Sequence, residues 1–190
     1  VTMAVTLWVV VWWIFEPIPI PATSLLPMAL LPLFGVLTPK ELGAAYGNPL
    51  VLLMLGGFIL ATALERSGAH RRIALYMVRA FGGTSSRRLV FGFMCASAFL
   101  SMWISNTSTT LMLLPVALAA LEKSDDPNLA SPLLLGIAYA ASIGGIGTPI
   151  GTPPNMVFMG VYSEVTGGAI SFGQWMLWAI PVVLLLLPIA

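Results

Sequence analysis

The chain has 190 residues, 58% of them hydrophobic and 8% charged, with eight Lys and Arg against seven Asp and Glu and a mean hydropathy of +0.97. Ordinary soluble domains carry about 25% charged residues, so the composition specifies an integral membrane protein and excludes a soluble domain. No basic run has the make-up of a nucleic-acid surface. The single cysteine, Cys95, excludes an intrachain disulfide and reads as a small apolar packing residue.

Taken in order, residues 1–15 form a hydrophobic segment ending in Trp12, Trp13 and Phe15, followed by Glu16. The segment has neither a basic flank nor a small-residue cleavage site, so it is no signal peptide, and tryptophans at a helix end mark the membrane interface. Three alternating prolines, Pro17, Pro19 and Pro21, remove donors and push their predecessors out of the α region, which predicts a turn over Glu16 to Pro21. A second helix is predicted over 22–37 despite Pro27 and Pro32, a polar linker from Thr38 to Asn48, and a third helix from Pro49 to Leu64. The chain opens at Val1 without an initiator methionine and stops at Ala190 inside an apolar run, so it is expected to be a fragment.

Six of the eight basic residues, Arg66, Arg71, Arg72, Arg79, Arg87 and Arg88, fall between the third helix and the next apolar run. Short loops rich in Lys and Arg stay in the cytoplasm, which places this region inside. Residues 69–81 are amphipathic and suit a helix lying along the inner interface, with His70 one more polar contact there. Counting back, the third helix runs inward, the second outward, and Val1 sits on the outer face with one more crossing expected upstream.

Leu89 to Leu121 carries no charge and is too long for one crossing, since a helix spans the hydrocarbon core in roughly 20 residues. It also contains the polar run Ser105-Asn106-Thr107-Ser108-Thr109-Thr110. Two half-depth helices, about Ser86 to Ile104 and Thr107 to Leu121, are predicted to meet at a non-helical tip, with a cytoplasmic exit loop from Glu122 to Asn128. Irregular backbone at membrane depth persists only where it is buried in protein or lines a cavity. From Leu133 to Ile143 the chain again reads as helix, then breaks over Gly144-Gly145-Ile146-Gly147-Thr148-Pro149-Ile150-Gly151-Thr152-Pro153-Pro154-Asn155 before turning apolar through Met156 to Tyr162. Gly and Pro cost about 1 and 3 kcal/mol relative to Ala inside a helix, so this helix is discontinuous. Residues 166–190 supply a further transmembrane helix.

Two interrupted helices at similar depth point to a transporter's midplane site. At each break one half-helix offers free carbonyls, which favour a cation, and the next offers free N–H groups, which favour an anion. Hydroxyl and amide oxygens of Ser101, Ser105, Asn106 and Thr148, with loop carbonyls, can replace the water shell of a sodium ion. Asn106, Thr107 and the N–H groups opening the second arm can hydrogen-bond a carboxylate. All seven carboxylates, Glu16, Glu41, Glu65, Glu122, Asp125, Asp126 and Glu164, lie near predicted helix ends or in loops. No intramembrane carboxylate is therefore placed for proton coupling, which favours sodium. Serines without a nearby His, Lys or Asp do not make a hydrolase, so the reading is not an enzyme, and no cofactor is called for beyond sodium as coupling ion.

At these residues the sequence resembles the divalent anion:sodium symporters, carriers of dicarboxylates, citrate or sulfate. Ser101-Met102-Trp103-Ile104-Ser105-Asn106-Thr107-Ser108-Thr109-Thr110 with Met112-Leu113-Leu114-Pro115 looks like that family's first Ser-Asn-Thr hairpin. Three more blocks match in order: Trp12-Trp13 through Pro19 and Leu25-Leu26-Pro27, Gly56-Gly57-Phe58 through His70-Arg71-Arg72, and Gly144-Gly145 through Asn155. The resemblance implies an all-α fold, one half of an inverted-repeat elevator transporter with a re-entrant helical hairpin and a broken helix. It divides the chain into scaffold and dimerisation helices with the interfacial helix (1–81), a transport-domain hairpin and discontinuous helix (82–165), and a following helix (166–190). It implies sodium at Ser101, Ser105, Asn106, Thr148 and Gly151, substrate at Asn106, Thr107 and Pro153, and a homodimer in the bilayer. Only one Ser-Asn-Thr occurs here; the second, C-terminal repeat is missing. The function expected is sodium-coupled symport of a small divalent anion such as a C4-dicarboxylate, citrate or sulfate by alternating access. The alternatives are a related arsenite permease or sodium/proton antiporter, or a non-transport membrane structural protein.

Overall fold

The computed structural model describes residues 1–81, 85–124 and 126–190. The expected boundary at residue 82 and Asp125 of the exit loop lie outside the described residues. Among those described there are ten α-helices and no strand, as the all-α reading requires: α1 (Thr2–Phe15), α2 (Ile20–Leu33), α3 (Pro39–Tyr46), α4 (Pro49–Ser67), α5 (Ala69–Phe81), α6 (Ser86–Ser101), α7 (Asn106–Leu121), α8 (Ala130–Gly145), α9 (Pro153–Thr166) and α10 (Phe172–Leu186). Packing divides them into two compact units, Val1–Leu52 and Leu53–Ala190.

In the first unit α1 packs on α2. The proline turn is shorter than expected: α2 begins at Ile20 and takes Pro21 into its first turn, where the missing N–H has no helical acceptor to lose. It ends at Leu33 rather than 37, just before Gly35 at φ 67°. The expected linker after Thr38 holds a helix, α3. Thr38 Oγ1 accepts from the Glu41 N–H at 3.3 Å, and the Thr38 N–H donates to Glu41 Oε2 at 2.8 Å. This reciprocal cap, with Pro39 at the first helical position, satisfies donors that a short helix otherwise leaves open. The Thr38 backbone bond, then its hydroxyl, hold the Glu41 carboxyl below the usual glutamate range.

Helix α4 runs three residues past the expected Leu64 and is the one helix among the described residues long and apolar enough to cross a membrane. The apolar helices α1, α2, α7, α8 and α10 have 14 to 16 residues. At 1.5 Å per residue that is roughly 21–24 Å, less than a hydrocarbon core of about 30 Å. Gly68, at φ 65°, turns α4 into α5, a conformation that costs other residues a clash at Cβ. Ile73, Met77 and Val78, from the apolar side of the helix expected along the inner interface, join Ala74 in the cluster that holds Phe93 and Leu100 of α6. An apolar stripe reads the same whether lipid or protein covers it, so sequence alone could not distinguish the two.

Helices α6, α7 and α8 form the centre of this unit. Leu133, Gly136, Ile137, Ala140, Ala141, Gly144 and Gly145 of α8 are buried, a three-four spacing that keeps one stripe turned inward. The stripe is mostly small because the backbones touch: a Cβ on Gly144 would stand 2.4 Å from the Ala98 Cα. Helices in lipid gain nothing from expelling water, so close packing and interhelical hydrogen bonds hold them; Ser97 Oγ donates to the Ile137 carbonyl at 2.7 Å. Residues 86–121 are two helices, with Leu113 and Ala117 of α7 returned against Phe93, Leu100, Leu133 and Ile137. At the other end of the pair, Ser86 Oγ donates to Asp126 Oδ2 at 2.8 Å.

Candidate functional site

Two helix breaks meet. The first, Met102 to Ser105, separates α6 from α7; the second, Ile146 to Thr152, separates α8 from α9. Thr148, wholly buried, donates its hydroxyl to the Met102 carbonyl and so joins one break to the other. Ser101, the last residue of α6 and also buried, donates to Asn106 Oδ1 at 2.5 Å. The glycines set the distance of approach. A Cβ on Gly145 would lie 2.6 Å from Asn106 Oδ1, and one on Gly151 would lie 2.5 Å from the Gly145 carbonyl oxygen and 3.0 Å from that of Ser101. Ser101, Asn106, Thr148 and Gly151 thus stand where the two breaks touch.

Ser105, Thr107 and Pro153 are placed differently. Ser105 is exposed and caps α7, its Oγ accepting from the Ser108 N–H at 3.2 Å. Thr107 and Pro153 are exposed in the first turns of α7 and α9. None of the three bonds to the Ser101–Asn106–Thr148 group among the described residues, although each stands at a break.

Two supporting residues were not singled out from the sequence. Asn155 is 6% exposed, and its Nδ2 donates at 2.8 Å to both the Gly145 and Thr148 carbonyls, tying the two sides of the second break together. Its signal was its place: an amide directly after Pro153-Pro154, at the end of a loop whose carbonyls have lost their helical donors. Trp175 of α10 donates Nε1–H to the Ile146 carbonyl at 2.8 Å and sets its ring edge-on to Phe158, with centroids 5.8 Å apart. Nothing local in the sequence marks that tryptophan.

The oxygens collected here are hydroxyl, amide and backbone carbonyl, all neutral. That set suits a hard monovalent cation, whereas no group of three or more His, Cys, Asp or Glu able to hold a transition metal occurs among the described residues. The first N–H groups of α7 and α9 open beside the same breaks, and helix N-termini accept anions. Cation and anion sites can therefore lie next to each other.

The model of the citrate transporter family matches residues 10–190. The sodium-dependent dicarboxylate transporter SdcS of Staphylococcus saprophyticus is 45% identical over 196 residues, covering 97% of this chain and 38% of that protein. SdcS of Staphylococcus aureus strain NCTC 8325 is 45% identical over 198 residues, covering 98% and 38%. The chain thus spans less than two fifths of the length of the curated relatives it matches. By a match that takes in all but its first nine residues, this chain belongs to the citrate transporter family, a family of membrane transporters and not of enzymes.

Proposed function

We propose that the chain carries the first half of the binding site of a sodium-coupled symporter for a small divalent anion, a C4-dicarboxylate, citrate or sulfate, working by alternating access. The observation that carries this reading is the joining of the two helix breaks through Thr148 and Met102, beside the Ser101–Asn106 pair. Sodium sits among Ser101, Ser105, Asn106, Thr148 and the Gly151 backbone. One substrate carboxylate rests on Asn106 and Thr107 at the N-terminus of α7, with Pro153 at its side, and the adjacent cation offsets its charge. The anion binds better with the cation's charge beside it, and by linkage the cation binds better with the anion in place by the same factor, which favours carriage of the two together.

The names of the 45% identical relatives, sodium-dependent dicarboxylate transporters, support the choice of ion and of substrate class. On this reading α6 and α7 are a re-entrant hairpin entering from the cytoplasmic side, where Arg66 to Arg88 lie. Residues 82–165 move as the transport domain of an elevator, residues 1–81 form the fixed scaffold of a homodimer, residues 166–190 follow as a separate helix, and a C-terminal inverted repeat completes the site. Counterflow of labelled succinate and sulfate by the full-length protein in liposomes tests it: exchange is expected with sodium and not with choline. Exchange indifferent to sodium overturns symport, and sodium flux driven by a pH gradient selects an antiporter instead.

A further inference from the structure

Where a helix breaks, its carbonyls depend on donors from elsewhere. Around the second break most of those donors are local. The Gly147 N–H donates to the Gly144 carbonyl at 2.8 Å, Asn155 Nδ2 to those of Gly145 and Thr148, and the Thr148 hydroxyl to that of Met102. The Ile146 carbonyl is the exception. Its donor is Trp175 Nε1–H at 2.8 Å, 29 residues further along the chain and on α10.

The Ile146 carbonyl and the Gly147 N–H are opposite edges of one rigid peptide plane. With Trp175 bonded to one edge and Gly144 to the other, that plane is held from both sides where the chain leaves α8. Gly147, which follows, has no side chain to restrict its backbone, and the next residue is Thr148, whose buried hydroxyl joins the two breaks. The indole is itself oriented. Its ring stands edge-on to Phe158 of α9, a contact that favours one ring plane and with it one direction for the N–H. Just past the end of α10, Leu187 packs with Met94, Ala98 and Ala140, which seats the helix against α6 and α8.

We propose that Trp175 is a positioning residue for the sodium group: through the Ile146 peptide it holds Thr148 and the turn to Gly151 where they meet Ser101 and Asn106. It touches neither ion nor substrate. Without its N–H, the Ile146 carbonyl competes for the donors at hand, the Asn155 amide and the Thr148 hydroxyl, since a carbonyl inside protein seldom stays unpaired. Each of those donors already holds a partner at the breaks, so losing either disturbs the arrangement that the ion needs. The inference rests on the sodium-coupled reading for its ion.

The test is the sodium dependence of labelled succinate uptake by the full-length protein in liposomes, with half-saturating sodium and maximal rate measured separately. Trp175→Phe keeps a ring beside Phe158 and removes the N–H. It is expected to raise half-saturating sodium about fivefold, the equivalent of one ordinary hydrogen bond, with the maximal rate at saturating sodium close to wild type. Trp178→Phe, at an exposed tryptophan of the same helix, is expected to change neither. A merely structural role would lower the Tm of Trp175→Phe and leave half-saturating sodium where it was. That result, or an equal shift in Trp178→Phe, overturns the inference and leaves the proposed function standing. Where Trp175→Phe does not fold, Phe158→Leu decides, because Phe158 is exposed and its loss frees the indole ring. Half-saturating sodium is then expected to rise about twofold, part of the strength of an aromatic pair, and an unchanged value overturns the inference. Wild-type uptake indifferent to sodium overturns both readings.

Discussion

Asn155 holds the second break together without touching a ligand in the proposed function. Its amide is the donor for the last carbonyl of α8, at Gly145, and for the Thr148 carbonyl in the break. Asn155→Leu keeps the branched shape and strands the Gly145 oxygen, while that of Thr148 keeps a bond from the Gly151 N–H at 3.3 Å, so it should cost about 1–3 kcal/mol, read as a fall in the Tm of the full-length protein. A Tm equal to wild type would mean that the second break holds itself open without this amide. Gly144 is constrained from the other direction. Gly144→Ala puts a methyl group into the Ala98 backbone and should destabilise by about 1–3 kcal/mol, the range for overpacked cores. The same test on Gly43, where an added Cβ meets nothing within 4 Å, should move Tm little.

At the scale of elements, the sequence was most legible where a helix must stop. Prolines, glycines and hydroxyls placed both breaks to within a few residues, because the backbone penalties that end a helix are local. Ser101, Asn106 and Thr148 were legible for the same reason, being the polar residues at those stops. What they bond was not, since the partners lie up to 46 residues away. α3 was legible and missed: Thr38-Pro39-Lys40-Glu41 spells a capping box in an otherwise polar stretch. That cap has a pH signature. The folded Glu41 pKa is lowered, so its stabilising contribution is full above the unfolded glutamate value and is lost as pH falls through the folded value. Hydrogen exchange at the α3 amides, corrected for intrinsic rates, should therefore quicken on acidification below the ordinary glutamate range. Glu41→Gln, which has no carboxyl to titrate, should remove the pH dependence, and an unchanged profile in that variant would contradict the assignment. α5 marks the limit of pattern reading, because part of its stripe packs on α6 and periodicity does not name the partner.

For the molecule as a whole, polarity is distributed inside out. Ser97, Ser101, Thr109, Thr148 and Asn155 are buried, while Leu7, Ile59, Leu60, Val157, Leu177 and Leu184 stand mostly exposed. In water such a surface would drive aggregation; in a bilayer it is the ordinary outer face, as befits the citrate transporter family. Composition made that class legible at once, since no soluble arrangement covers so much apolar surface with so few charges. The choice of anion was not legible, because a site of neutral oxygens and helix ends measures charge and size rather than spelling a name. The most direct measurement is sodium-dependent uptake of labelled succinate by the full-length protein in liposomes, comparing wild type with Asn106→Ala, Thr107→Ala and Ser105→Ala. Asn106→Ala and Thr107→Ala should weaken apparent succinate affinity by about tenfold or more, the loss of one good hydrogen-bonding group, while Ser105→Ala chiefly raises the sodium needed for half-maximal uptake. Wild-type succinate and sodium dependence in all three variants would contradict the placing of the site at the meeting of the two breaks.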